Sequence, residues 1–280
     1  MRTVRNVKDL RRLIQHYNES RETVALVPTM GALHEGHLSL VRQAKYRCQR
    51  VIVSLFVNPK QFSEGEDLES YPQTYERDAQ LLTELDVDVL YMPTREEMYQ
   101  RDASTTITVA GVGEGLCQST RPDFFSGVAT VVTKLLLQCL PDVAIFGEKD
   151  YQQLLVIRRL VRDLDIPVAI ESGNTVREND GLALSSRNAY LSENERISAP
   201  HLYYSLTQAQ HRIGAGEAIS KVLWDSEQYL LSVGFESIDY FAYSDAETLV
   251  PSDRRLTNRP ARLLAAAWLG KARLIDNIAA

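Results

Sequence analysis

Two imidazoles separated by an acid and a glycine, His34-Glu35-Gly36-His37, stand between a β-type run, Thr23–Val27, and a helical run that begins near Leu38. Those residue types at a strand-to-helix junction are what a phosphate site needs. Backbone N–H groups at a helix N-terminus are unsatisfied and partly positive, so anions bind there. Gly36 lets the backbone approach a ligand closely. The histidines add donors able to follow charge as it develops on phosphorus. Taken alone, an H-x-x-H reads as two polar loop residues, one of them an N-cap; the rest of the chain changes that weighting. No further His, Asp or Glu follows at metalloprotease spacing, so no bound zinc is expected.

A second strand-to-helix junction, Phe146-Gly-Glu-Lys-Asp-Tyr-Gln-Gln153, repeats the arrangement. Gly147 permits a tight turn, and Lys149 is a mobile point charge suited to phosphate. Asp150 can accept from ribose hydroxyls, as acidic residues after Rossmann strands do, or serve as an N-cap. Gln153 can offer amide donors to a carboxylate or face solvent. Leu184-Ser-Ser-Arg-Asn188 combines two hydroxyls and a guanidinium that can wrap triphosphate oxygens, though in isolation it reads as a solvated turn. In Asn58-Pro-Lys-Gln-Phe62, Gln61 is a ligand-orienting amide or a turn residue. The stretch from Glu64 to Glu69 reads as a solvated acidic loop or a lid. Gly111-Val-Gly-Glu-Gly115 lacks the full G-x-G-x-x-G spacing and a clear following helix, and is discounted. His16, His201 and His211 sit singly in helical stretches and need only packing to explain them.

The elements that must position these groups alternate. Strands are expected at Val24–Val27, Val51–Val57, Val87–Tyr91, Val143–Phe146 and Val168–Glu171, and helices at Leu38–Cys48, Tyr75–Leu85, Ser126–Cys139 and Tyr151–Leu164. The nearly continuous apolar run Val51–Val57 suits a strand covered on both faces. This order predicts an α/β fold with a doubly wound, Rossmann-like parallel sheet. Ligands in such sheets sit beyond the carboxyl ends of the strands, so the junctions at Pro28, Asn58 and Gly147 are expected to converge. Past about residue 175 the texture changes. Ser192-Glu-Asn-Glu195 is a capping box, Pro200 kinks or divides the helical stretch it opens, and Glu217–Val233 is a helix ended by Gly234. Three β-like runs follow, Ile238–Tyr243, Leu263–Trp268 and Leu274–Ile278. The predicted organisation is a Rossmann-like domain over residues 1–175 and a smaller α+β domain over 176–280.

The chain has 280 residues, 44% hydrophobic and 24% charged, ordinary for a soluble globular protein. Its net charge of −6 argues against a general nucleic-acid surface and leaves room for a local positive pocket in one cleft. Cys48, Cys117 and Cys139 are scattered without C-x-x-C spacing, which suggests no disulfide framework and fits a reducing cytosol. Met1–Lys8 lacks the apolar core of a signal peptide, and no apolar run is long enough to span a bilayer.

Seven stretches together resemble the pantothenate synthetase family, the AMP-forming pantoate–β-alanine ligases. They are Pro28-Thr-Met-Gly-Ala-Leu-His-Glu-Gly-His37, Phe56-Val-Asn-Pro-Lys-Gln-Phe62, Gly127-Val-Ala-Thr-Val-Val-Thr-Lys134, Phe146–Gln153, Thr175-Val-Arg-Glu178, Gly181-Leu-Ala-Leu-Ser-Ser-Arg-Asn188 and Arg273-Leu-Ile-Asp-Asn277. H-x-G-H alone marks a superfamily of nucleotidyltransferase-like Rossmann folds; all seven in order are specific. The resemblance implies ATP-dependent condensation of pantoate with β-alanine to pantothenate through a pantoyl adenylate, on the route to coenzyme A. Pyrophosphate and AMP would be released.

It also implies a set of site residues. ATP would lie against Met30, Gly31, Ala32, Leu33, His34, Glu35, Gly36 and His37, with both histidines on phosphates and His37 as the catalytic acid. Gly147, Glu148, Lys149 and Asp150 match ribose and phosphate contacts, and Val176 matches a backbone contact to adenine. Leu184, Ser185, Ser186 and Arg187 match the phosphate loop, so the catalytic set is His34, His37, Lys149 and Arg187. Gln61 and Gln153 match the amides that hold pantoate. The family implies a cytoplasmic homodimer, magnesium arriving with ATP, and no tightly bound organic cofactor; no protein metal ligand is assigned. Asp78 lies near an acidic position linked to metal in relatives, but Arg77 interrupts the usual acidic pair. Members often have R-P-G-H-F-R-G where this chain has Arg121-Pro-Asp-Phe-Phe-Ser-Gly127, so a histidine and an arginine are missing. Asn174 also replaces a common proline. The rival functions are transfer of AMP onto a phosphate-bearing acceptor, which the same H-x-G-H site would serve, non-catalytic nucleotide sensing, and an ADP-forming ligase.

Overall fold

The computed structural model describes residues 1–62, 68–69 and 71–280; the acidic stretch beginning at Glu64 falls outside these apart from Leu68 and Glu69. The chain opens with β1 (Arg2–Val4), α1 (Val7–Glu19), β2 (Val24–Thr29), α2 (Glu35–Arg47), β3 (Arg50–Leu55), α3 (Tyr75–Glu84) and β4 (Val89–Tyr91). Next come the short α4 (Arg95–Met98) and α5 (Cys117–Thr120), then α6 (Phe124–Cys139), β5 (Val143–Gly147), α7 (Tyr151–Asp163) and β6 (Ala169–Gly173). The last stretch holds α8 (Glu193–Ser198), α9 (His201–Gly214), α10 (Ile219–Ser232), β7 (Ser237–Asp245), β8 (Ala261–Leu269) and β9 (Ala272–Ala279). Two compact units result: 1–113, 121–148 and 153–174 form the first, and 114–120, 149–152 and 175–280 form the second. The short segments 114–120 and 149–152 therefore group with the C-terminal residues, which contiguous sequence blocks do not anticipate.

In the first unit six strands pair in the order β1-β4-β3-β2-β5-β6, every pair parallel. The order reverses direction between β2 and β5, the switch point of a doubly wound sheet. Ala25, Val27, Val51, Val53 and Leu55 face Leu40, Val41 and Ala44 of α2 and Leu82 of α3 in one apolar cluster. The alternation of side chains along a strand sends Val24, Leu26 and Ile52, all buried, to the opposite face. α6 packs on β2 and α1 on α6. β2 runs through Pro28 to Thr29, so its loop starts at Met30 rather than at Pro28. Proline is tolerated there because β5 pairs only with Ala25 and Leu26, while Pro28 opposes Ser54 on the other side.

Four elements carry no expectation from the sequence reading: β1, α1 and the four-residue helices α4 and α5. β1 is three residues long, too short to announce itself. α1 has a legible signal: Asn6 accepts from the Asp9 N–H as its N-cap, and Leu10, Ile14 and Tyr17 recur at helical spacing on its buried side.

The second unit pairs β7-β8-β9 antiparallel. Leu202, Leu206, Ala209 and Ile213 of α9 and Val222 and Leu230 of α10 share a core with Phe241, Leu263, Ala265 and Leu274 of the sheet. Both capping-box bonds of Ser192 and Glu195 are present at α8, and Pro200 separates α8 from α9. No helix among the described residues is long and apolar enough to cross a membrane.

Candidate active site

In the first unit the loop after β2 turns through Gly31 at φ +92 and Ala32 at φ +51 before α2 begins. His34 is the N-cap of α2: its Nδ1 accepts the Gly36 N–H at 3.2 Å. His37 reaches back, and its Nδ1 accepts the His34 N–H at 3.4 Å. The two rings lie with centroids 4.1 Å apart. This imidazole capping box corrects the picture of a bare helix terminus. Of the donors expected to face an anion, Gly36 and His34 pair with imidazoles, and the His37 N–H donates to the His34 carbonyl at 2.8 Å. A neutral ring whose Nδ1 accepts carries its proton on Nε2. Each histidine thereby becomes a donor through Nε2, and the sequence reading of a naked N–H cradle shifts to one built from side chains. Glu35 is exposed and paired with Arg42; that bond holds its carboxyl below the usual range.

Gln61 ends a single helical turn, Pro59–Gln61, after β3. Its Oε1 accepts from Asn58 Nδ2 at 3.0 Å, and its Nε2 lies 2.9 Å from the Met30 sulfur. The orientation of these amides follows from backbone groups of known polarity. Asn58 Oδ1 accepts the Lys60 N–H at 3.3 Å, and Nδ2 donates to the Gly127 carbonyl at 3.1 Å. Tyr99 donates its hydroxyl to the same Oδ1 at 2.8 Å, and burial pushes that phenol up, so it remains protonated. With Asn58 fixed, the Gln61 atom facing it must be oxygen. Gln61 therefore offers its NH2, resting on a thioether that is a weak acceptor. Gly127 on α6 allows this contact: a Cβ there would overlap the Lys60 carbonyl and lie 2.9 Å from the Gln61 backbone nitrogen. Arg121 also donates to the Gln61 carbonyl at 3.1 Å. Gln61 and Met30 are thus brought together, whereas Gln153 stands half-buried on α7.

The strand end at Gly147 behaves differently from its sequence reading. Gly147 is the last residue of β5, in register with Gly173, and its φ is not left-handed. A Cβ would make only an ordinary contact with Leu40 at 4.0 Å, so no tight turn requires this glycine. Glu148 accepts from Ser172 Oγ at 3.2 Å.

The second unit holds the remaining expected residues. The Lys149 carbonyl accepts from Asn277 Nδ2 at 2.9 Å, and its ammonium lies 3.8 Å from Asp150 Oδ1. Ser185 Oγ accepts the Arg187 N–H at 3.3 Å and caps the turn Ser186–Tyr190. Asn188 donates to the Ala183 carbonyl at 3.0 Å. Lys149, Ser185, Asn188, Tyr203, Arg273 and Asp276 line one cavity. Arg177 makes a bidentate pair with the buried Asp276, at 2.5 and 2.9 Å. The Val176 carbonyl accepts the Leu184 N–H at 3.0 Å, so a backbone contact to a base there would use its second lone pair or the Val176 N–H. Gln152, adjacent to Gln153, is buried and holds 114–117 through the Cys117 N–H and the Glu114 and Gly115 carbonyls.

A profile described as Pantoate-beta-alanine ligase matches residues 2–279. The chain belongs to this family. A pantothenate synthetase from Paramagnetospirillum magneticum is 52% identical over 275 residues, covering 98% of this chain and 96% of that one. The crystal structure of the Thermus thermophilus pantothenate synthetase superposes with a TM-score of 0.92 at 46% identity, over 99% of both chains. The Francisella tularensis pantoate–β-alanine ligase, solved with β-γ ATP and β-alanine, gives 0.81 at 35% identity, over all of this chain and 97% of that one. As a pantoate–β-alanine ligase the chain is an ATP-dependent enzyme that joins those two substrates, and its nucleotidyltransferase-like Rossmann fold agrees with the expectation from the seven stretches.

Within the ligase the departures at 121–127 have local explanations. Asp123, where members often carry glycine, sits at φ +66, a region asparagine and aspartate tolerate better than other side chains. Phe124, in place of histidine, stacks under the Arg121 guanidinium at 3.9 Å. Ser126 shares a hydrogen bond with Thr108 at 3.1 Å. Among the described residues no group of three His, Cys, Asp or Glu side chains could hold a metal ion. Asp78 is fully buried, with both oxygens engaged by backbone N–H groups.

Proposed function

We propose that the ligase forms a pantoyl adenylate at the loop running from Met30 to His37. The capped imidazole pair carries this reading: two rings side by side with both Nδ1 atoms accepting are donors matched to phosphate. Pantoate's carboxylate is already ionised at neutral pH, so no covalent enzyme nucleophile is needed. The Gln61 NH2, freed from the thioether, would hold the carboxylate; Gln153 would take a second polar group of pantoate. Positioning of this kind can supply roughly 7–11 kcal/mol of a barrier.

As the carboxylate oxygen attacks the α-phosphorus, negative charge gathers on the phosphoryl oxygens. His34 and His37 would donate hydrogen bonds to them through Nε2; because its Nδ1 already accepts the His34 N–H, His37 takes the part expected of the acid as a neutral hydrogen-bond donor that keeps its one ring proton. Lys149, Ser186 and Arg187 are proposed as further phosphate donors, and Ser185 as the cap that shapes their turn. Met30, Gly31, Ala32, Leu33, Glu35 and Gly36 would line the nucleotide. Gly147, Glu148 and Asp150 are proposed for the ribose side, Val176 and Leu184 for the base side. Magnesium enters as part of the MgATP substrate, without an assigned protein ligand. Pyrophosphate leaves, the β-alanine amine attacks the acyl carbon, and AMP departs. Action as a cytoplasmic homodimer belongs to the same proposal.

The test is product analysis with each substrate withheld in turn. Pyrophosphate exchange into ATP should require pantoate but not β-alanine, and full turnover should release AMP. Release of ADP, or exchange without pantoate, would overturn the adenylate route.

A further inference from the structure

Two N–H groups in the middle of the loop before α2 are held by a carboxylate from a distant helix. Ala32 donates to Oδ2 of Asp78 and Leu33 to Oδ1, each at 2.9 Å. The Thr74 hydroxyl donates to Oδ1 at 3.0 Å, so the carboxylate is itself held. Asp78 lies on α3 and is completely buried. The segment it grips needs gripping, because Gly31 and Ala32 take consecutive left-handed steps and the second is not glycine. Such a backbone persists only where its surroundings over-determine it. Apolar packing is non-directional, whereas two carboxylate oxygens fix two successive N–H directions. Gly31 rests against the same group: a Cβ there would lie 3.2 Å from Oδ2. One residue beyond Leu33 the chain becomes His34, the cap of α2.

We propose that Asp78 is a positioning residue for adenylation, acting through the Gly31–Leu33 backbone to aim His34 and His37. This rests on the phosphate role proposed for those histidines. The carboxylate has no exposed surface, and its oxygens accept from the loop N–H groups and from Thr74. It sets where the imidazole pair stands, and it occupies two N–H groups that phosphate would otherwise find.

Asp78→Asn keeps the size and replaces one acceptor oxygen by an NH2 that opposes an N–H. Pantoate-dependent pyrophosphate exchange should fall roughly 10–100-fold, the loss of one hydrogen bond to a charged acceptor. The reaction of supplied pantoyl adenylate with β-alanine should fall much less, since it no longer requires attack at phosphorus. Thr74→Ala, a milder loosening, should lower exchange roughly 3–10-fold with the same half-reaction split, and it decides the matter if Asp78→Asn does not fold by thermal melting. Exchange equal to the parent's, or an equal fall in both half-reactions, would overturn the positioning role alone. A parent protein without pantoate-dependent exchange would overturn the adenylate reading and this role with it.

Discussion

Replacing Gln61 by glutamate tests the amide polarity read from Asn58. The Lys60 N–H and the Gly127 carbonyl set Asn58, Asn58 sets Gln61, and the NH2 is left for the substrate. Gln61→Ala removes one hydrogen bond to a carboxylate, about 1.5–3 kcal/mol, or roughly 10–100-fold in pantoate affinity. Gln61→Glu keeps the oxygen that Asn58 needs but puts a second anion where the donor stood. Two like charges about 4 Å apart repel by about 4 kcal/mol at an effective dielectric constant near 20. Protonating the new glutamate instead costs about 1.4 kcal/mol per pH unit above its ordinary value of about 4.3, so about 5 kcal/mol at pH 8. Repulsion is therefore the lesser penalty at pH 8, and the Gln61→Glu enzyme should bind pantoate roughly 10³-fold more weakly than the Gln61→Ala enzyme. At pH 5.5 protonation costs only about 1.6 kcal/mol, and the gap should shrink to roughly 15-fold. Pantoate titration calorimetry of both variants at the two pH values measures this, with thermal melting as the control for folding. Glutamate binding as well as alanine at pH 8 would refute the assignment of the NH2 to the substrate.

His37→Ala should lower the single-turnover rate of adenylation by roughly 10²–10³ while ATP affinity changes far less; equal rates in rapid-quench experiments would reject its role. Gly127→Ala drives a methyl into the Lys60 carbonyl; it should destabilise by about 1–3 kcal/mol, read as a lowered urea midpoint, and weaken pantoate binding by displacing Gln61. The acid limb of stability should depend on Asp245. Burial works against its charge, but the Thr248 and Glu247 N–H groups, the Thr248 hydroxyl and Arg259 outweigh it and hold the carboxyl below the usual range. A depressed folded value means its stabilisation is complete above the unfolded value of about 3.9 and is lost as pH falls through the folded one. Asp245→Asn should therefore lower the urea midpoint at pH 7 and flatten its decline below pH 4, whereas parallel pH curves would contradict that contribution.

Local pattern made much of this protein legible before any coordinates. The apolar run after Arg50, the capping box at Ser192, the break at Pro200 and the three C-terminal β runs each depend on neighbours in sequence, and each formed nearly where expected. α2 begins at Glu35, not near Leu38, because His34 is its cap, which agrees with the plain reading of one histidine of the pair as an N-cap. The seven stretches carried the family because residue types at fixed spacing survive in the sequence itself.

What stayed hidden depends on partners far apart in the chain. The buried Asp78 meets Ala32 and Leu33 across about 45 intervening residues, and nothing around it distinguishes a loop clamp from a metal ligand. The direction of the Gln61 amide depends on Gly127, and the Lys149 backbone on Asn277. Sequence by itself determined the elements, their α/β order and the chemical types at the site, since propensity and periodicity act over a few residues. Only the tertiary structure decided which atom of Gln61 is offered and what holds the loop before the imidazole pair, because those hydrogen bonds run to Gly127 and Asp78, groups that the fold brings alongside from far along the chain.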